Sequence, residues 1–127
     1  MTPLFVYGTL KRGGYWNKAV FQPLRAQYHG EATLRDYALY AVNADVPALL
    51  PTEGARTHGE VWSVEDGTAL AVVDELEMMY TRTPVTVEMD GHPVLVQTYL
   101  WNSVWSVSRY PMDSWPIEGI AEWREKQ

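Results

Sequence analysis

The chain has 127 residues, 46 % of them hydrophobic and 20 % charged, with a net charge of −6. That length suits one domain, spanning 1–127, with a real core, and the acidic balance works against binding the phosphate backbone of nucleic acid. Cysteine is absent, which excludes disulfides and thiol catalysis, and no apolar run reaches the length of a membrane span. Met1-Thr2-Pro3 leads straight into a first strand without the basic and apolar regions of a signal peptide, so a cytoplasmic location is expected. Six Trp and eight Tyr should fill much of the core and line part of a cleft.

Pro3 to Tyr7 reads as a strand that runs into Tyr7-Gly8-Thr9-Leu10 and then Gly13-Gly14. Glycine lets the backbone bend and lets a ligand approach it, and successive N–H groups in such a turn favour anions, carboxylates included. Tyr15 to Leu24 has room for a short helix stopped by Pro23. Ala26 to Leu34 and Tyr37 to Val42 look extended. Asn43 to Pro51 reads as a loop bracketed by turn residues, and Thr57 to Val64 as a strand. A helix then starts with Asp66 as its expected N-cap. Leu70, Val73, Leu76 and Glu77 follow at helical spacing, which puts Glu77 at the end of an apolar face. Thr83 to Met89 and Pro93 to Trp101 flank Asp90-Gly91, a strong hairpin signal. Val85, Val87 and Met89 should share one face. The tail should form a loop and a terminal helix over Ile117 to Arg124. Strands outnumber helices, which predicts an α+β domain built on a small, mixed β-barrel with short helices.

Little chemistry is on offer. His29, His58 and His92 lack metal-ligand spacing. Neither a phosphate loop nor a nucleophile elbow is present. Asp74 and Glu77 share a helix face while Glu75 points elsewhere, and carboxylates without histidine make a poor transition-metal site. A single glutamate acting as general acid and base is the remaining reading. A carboxyl held against apolar neighbours has its pKa raised toward the useful range.

Taken together, Tyr7-Gly8-Thr9-Leu10, Gly59-Glu60-Val61-Trp62, Val73-Asp74-Glu75-Leu76-Glu77, Tyr80-Thr81-Arg82 and Tyr99-Leu100-Trp101 resemble, in order and spacing, the gamma-glutamylcyclotransferase-like family, in particular its gamma-glutamylamine-type branch. Val46-Pro47-Ala48-Leu49 looks like that family's central proline loop. The resemblance covers roughly residues 4 to 101. It implies a small mixed barrel, a substrate loop formed by Tyr7, Gly8, Thr9 and Leu10, and Glu77 as the proton acceptor. Family members usually carry Gly after that glutamate; this chain carries Met78.

The implied reaction is intramolecular. The substrate's α-amine attacks its own γ-carbonyl, 5-oxoproline forms, and an amine or amino acid leaves. Tethering supplies the proximity, so neither a cofactor nor a metal is expected. The partner would be a small gamma-glutamyl molecule. The loop N–H groups would hold the substrate carboxylate or the developing oxyanion. The alternative is a catalytically silent binding or regulatory protein on the same scaffold, with Glu77 structural.

Overall fold

In this computed structural model, residues 1–43, 46–102, 108–109 and 120–121 are described. In chain order they form β1 (Thr2–Val6), a π-helical turn (Asn17–Phe21), β2 (Gln27–Asn43), β3 (Val46–Val64), α1 (Thr68–Leu76), β4 (Tyr80–Met89), β5 (His92–Trp101), β6 (Ser108–Arg109) and β7 (Ile120–Ala121). The sheet runs β6-β2-β4-β5-β1-β3-β7, and a further β2–β3 pairing joins its ends into the ring β2-β4-β5-β1-β3. The expected mixed barrel is therefore present. β1 is its pivot: it lies antiparallel to β3 and parallel to β5.

β1 is buried on both faces, and its side chains alternate between two cores. Phe5 points into the barrel with Leu34, Leu39, Val61 and Val87. Leu4 and Val6 point outward, under α1, where Phe21, Val64, Leu70 and Val73 meet them. An amphipathic helix laid over one barrel wall thus gives β1 its second covered face.

Four sequence expectations change. The two extended segments before Asn43 are one strand, β2, kinked by bulges at Tyr28/Gly30 and Arg35/Tyr37. Asp36 absorbs the second kink at φ 66, and its carboxylate accepts from the Gly54 N–H at 3.0 Å. Bulges bend long strands enough to let a small sheet close. Second, the expected loop Asn43 to Pro51 is largely strand: Pro47 pairs with Ala41 and Pro51 with Tyr37. Over that stretch β3 has only β2 beside it among the described residues, and an edge tolerates the missing proline N–H. Third, the N-cap of α1 is Gly67, which makes no side-chain cap. Asp66 is drawn away to the Thr2 hydroxyl and the N-terminal amine. Fourth, within the expected terminal helix Ile120–Ala121 pair as β7 with Arg56 and Thr57 of β3; its other residues lie outside those described.

The β4–β5 hairpin is as expected. Asp90 and Gly91 have φ of 50 and 78, the double positive φ of a type I′ turn. Val85 and Val87 are buried on one face, with Met89 packed beside them. Among the described residues no helix is long and apolar enough to cross a membrane.

Candidate active site

A cleft of about 330 Å³ opens where β1 ends, walled by Tyr7 to Leu10 on one side and Leu76 to Tyr80 on the other. The topology brings these distant segments together because β1 and the C-terminus of α1 share the outer core. All five residues singled out in the sequence, Tyr7, Gly8, Thr9, Leu10 and Glu77, line this one cleft.

The loop after β1 is held by its carbonyls. Gly8 O accepts from Lys11 N at 3.1 Å and Thr9 O from Asn17 N at 3.1 Å. Leu10 O accepts from the amide Nδ2 of the buried Asn17 at 2.7 Å. With the carbonyls turned inward, the N–H groups of Gly8, Thr9 and Leu10 meet no acceptor among the described residues. Such a run of free amides suits a carboxylate or an oxyanion. From the barrel side Glu60 supports the loop: its Oε1 accepts from the Arg12 N–H at 2.6 Å and from the Trp62 indole at 3.1 Å. A Cβ on Gly14 would lie 2.1 Å from the Thr9 carbonyl oxygen, and one on Gly59 would lie 2.4 Å from the Val6 oxygen. Only glycine fits at either place.

Glu77 terminates α1 as its C-cap, with its N–H donating to Val73 O at 3.0 Å. Its carbonyl then accepts from Tyr80 N at 2.9 Å, which turns the chain into β4. Burial raises the Glu77 carboxyl from its ordinary 4.5 to about 7. Burial also pushes up the phenols of Tyr7 and Tyr80, and the nearby Glu77 charge pushes them further. They remain neutral hydrogen-bond groups around it. Met78 is 81 % exposed and its φ is not positive, so this backbone accepts a side chain at that position without strain.

Asp74 differs from Glu77. It accepts from the Tyr99 hydroxyl at 2.7 Å and from Arg82 Nε at 2.9 Å, while Arg82 Nη1 donates to Gln97 Oε1 at 2.8 Å. The guanidinium is thereby spent on Asp74, and Glu77 has no ion-pair partner among the described residues. No set of three metal-ligating side chains occurs there either. Tyr80 reaches across the cleft and donates to the Pro47 carbonyl.

Sequence reasoning did not assign roles to Asn17, Glu60, Asp74 or Tyr99. Glu60 had a legible signal, an acid inside an apolar strand beside Gly59. Asn17 had none, because its role depends on where the preceding loop folds.

The family described as "Gamma-glutamyl cyclotransferase, AIG2-like" matches residues 4–124. A gamma-glutamylaminecyclotransferase of Bos taurus is 36 % identical over 120 residues, 87 % of this chain and 68 % of that protein. The crystal structure of an AIG2-like protein from Mus musculus superposes with a TM-score of 0.69 at 27 % identity, covering 83 % of this chain and 82 % of that one. An uncharacterized protein from Pyrococcus horikoshii shares the fold at 20 % identity, with a TM-score of 0.69 over 87 % and 86 % of the two chains. These likenesses define the class, a cyclotransferase enzyme on a closed barrel. The chain belongs to the gamma-glutamyl cyclotransferase, AIG2-like family.

Proposed function

We propose that the protein cyclises gamma-glutamyl amines, releasing 5-oxoproline and a free amine, with Glu77 as general base and then general acid. The observation that carries this reading is the position of the Glu77 carboxyl: half-buried, with no ion-pair partner among the described residues, raised to about 7 by desolvation, in the same cleft as the main chain of Gly8, Thr9 and Leu10. A group near neutrality accepts a proton from the substrate's α-ammonium and returns it without a large penalty in either direction. The α-nitrogen then attacks the γ-carbonyl carbon. As the amide C–N bond breaks, Glu77 delivers that proton to the departing nitrogen and then takes the second proton that the new lactam nitrogen sheds, which passes to the released amine. The chemistry needs no external nucleophile, because the attacking amine is part of the substrate. The loop amides hold the α-carboxylate and keep the substrate folded for attack.

The experiment is 5-oxoproline release from gamma-glutamyl amides by the purified protein and by Glu77→Gln. Turnover by the parent and its loss in Glu77→Gln support the assignment. Equal turnover by both places the base elsewhere.

A further inference from the structure

Asp74 lies in the last turn of α1 and Glu77 caps that helix. Side chains at this spacing are neighbours, with about 5–6 Å between their Cβ atoms. Their surroundings are opposite. Glu77 has no ion-pair partner among the described residues, whereas Asp74 Oδ1 accepts from Arg82 Nε at 2.9 Å and from the Tyr99 hydroxyl at 2.7 Å. Arg82 Nη1 donates to Gln97 Oε1 at 2.8 Å, so the guanidinium is tied on two sides. Arg82 stands on β4 just past the turn that Glu77 begins. Its long side chain could answer either carboxylate and is committed to one.

As a brace for the fold this pair is weak. The Arg82 and Asp74 side chains are 30 % and 38 % exposed, and water screens such a pair. Its effect on the charge around the cleft is larger. From β1, β4 and β5 the phenols of Tyr7, Tyr80 and Tyr99 face Glu77, and burial keeps all three protonated. The charged groups beside this set are Asp74, on the helix face of Glu77 itself, and Arg82. Tyr99 registers every one of them. Burial and its bond to Asp74 raise the Tyr99 pKa, the charges of Asp74 and Glu77 raise it further, and Arg82 pulls it down. One hydroxyl thus lies within electrostatic reach of both carboxyls and the cation.

We infer that Asp74 is a positioning residue for the cyclisation: it holds the Arg82 guanidinium in a closed pair against β5, so that this cation does not reach the Glu77 carboxyl and the base stays free for the substrate's ammonium. The inference rests on the cyclotransferase reading above. A carboxylate locked to a guanidinium holds its charge and is a poorer base. The substrate's ammonium would also have to displace that guanidinium before it could give up its proton.

The test uses the parent, Asp74→Asn, Arg82→Gln and the variant carrying both changes. Asp74→Asn keeps an acceptor oxygen and removes the charge; Arg82→Gln removes the cation and leaves Asp74 unbalanced. The Glu77 carboxyl is titrated in the folded proteins by NMR of its side-chain carbon, without substrate. Release of 5-oxoproline from a gamma-glutamyl amide is followed from pH 5 to pH 8, with thermal melts to verify folding. In Asp74→Asn the Glu77 midpoint should fall by about one pH unit, the lower end of what a close opposite charge produces. Its kcat should fall by about tenfold or more, because the base is drawn off its line to the substrate. In Arg82→Gln the midpoint should rise. With both changes it should return to that of the parent, and kcat should recover over Asp74→Asn. A network that only supports the fold makes the double variant the slowest of the set and leaves the midpoint unmoved. That result overturns this inference and leaves the cyclotransferase reading intact. Should Asp74→Asn fail to fold, the midpoint of Arg82→Gln decides, and its failure to rise overturns the inference. No release by the parent overturns the cyclotransferase reading, and this inference with it.

Discussion

The Tyr7 phenol donates to the main-chain carbonyl of Tyr99 at 2.5 Å. β1 and β5 run side by side as far as Phe5 and Thr98. Beyond that point the side chain of Tyr7 continues the link that the backbone gives up as it turns into the loop of Gly8 to Leu10. Tyr99 also anchors Asp74 through its own hydroxyl at 2.7 Å. The loop and the end of α1 are thereby referred to the same residue of β5.

Tyr7→Phe should therefore weaken both the fold and substrate binding. It leaves a buried carbonyl without its donor, at a cost of about 1–3 kcal/mol. Urea melts should show that loss, and KM for a gamma-glutamyl amide should rise because the loop is less firmly placed. Unchanged stability would mean the hydrogen bond contributes nothing net.

The features legible in the sequence had local causes. Asp90-Gly91 dictates a turn by its own φ preferences, and Leu70, Val73 and Leu76 announce a helix by spacing alone. Glu77 was legible as an acid on an apolar face. The proline-bracketed segment Val46 to Pro51 was not legible as strand, because its conformation is set by pairing with Tyr37 to Asn43 across the sheet. Asp66 could not be seen to abandon its helix, because its partners Thr2 and Met1 lie at the far end of the chain and meet it only once the barrel wall has formed. The cleft residues that carry no motif, Asn17 above all, acquire their roles only once the loop has closed around them.

Two adjacent glycines provide an internal control for the loop. Gly13 has φ +84 and open space where a Cβ would stand, with nothing within 4 Å, whereas a Cβ on Gly14 would strike the Thr9 carbonyl at 2.1 Å. Gly13→Ala should cost about 1–2 kcal/mol from left-handed backbone strain alone. Gly14→Ala must push the Thr9 carbonyl away, which breaks its bond from Asn17 N and displaces the free amides. The expected result is a larger stability loss in Gly14→Ala and a drop in kcat/KM that Gly13→Ala does not share. Similar kinetics for the two variants would show that the placement of Thr9 is unimportant to the reaction.

Glu77→Gln should lower turnover by about 10²–10⁴, the usual worth of a positioned acid–base group. Glutamine keeps the shape and most of the hydrogen bonding but neither takes nor returns the proton. Substrate affinity, measured by calorimetry under conditions where the variant does not turn over, should stay close to that of the parent. A variant that loses affinity as steeply as rate would make Glu77 a binding residue.

The pH dependence separates the catalytic and structural consequences of the same carboxyl. Its folded-state pKa is raised to about 7 from an ordinary 4.5 by burial. Between those values the folded protein keeps a proton on Glu77 that the unfolded chain has released. Folding therefore binds a proton in this window, and its stability falls as pH rises. The contribution is fully present below about pH 4.5 and is lost once pH passes about 7. The upper bound on that loss is about 3.5 kcal/mol, at about 1.4 kcal/mol for each tenfold difference in proton affinity between the folded and unfolded chain. Glu77→Gln lacks the titration, so urea melts should show the variant gaining on the parent from pH 5 to pH 8. On the proposed mechanism, in which the Glu77 carboxylate is the base, activity runs the other way: kcat/KM of the parent should climb through an apparent pKa near 7. Opposite trends in stability and activity across one window are what a single desolvated carboxyl acting as the base would produce. If parent and variant melts stay parallel from pH 5 to pH 8, the Glu77 carboxyl titrates as an ordinary surface acid, and the activity profile must come from another group.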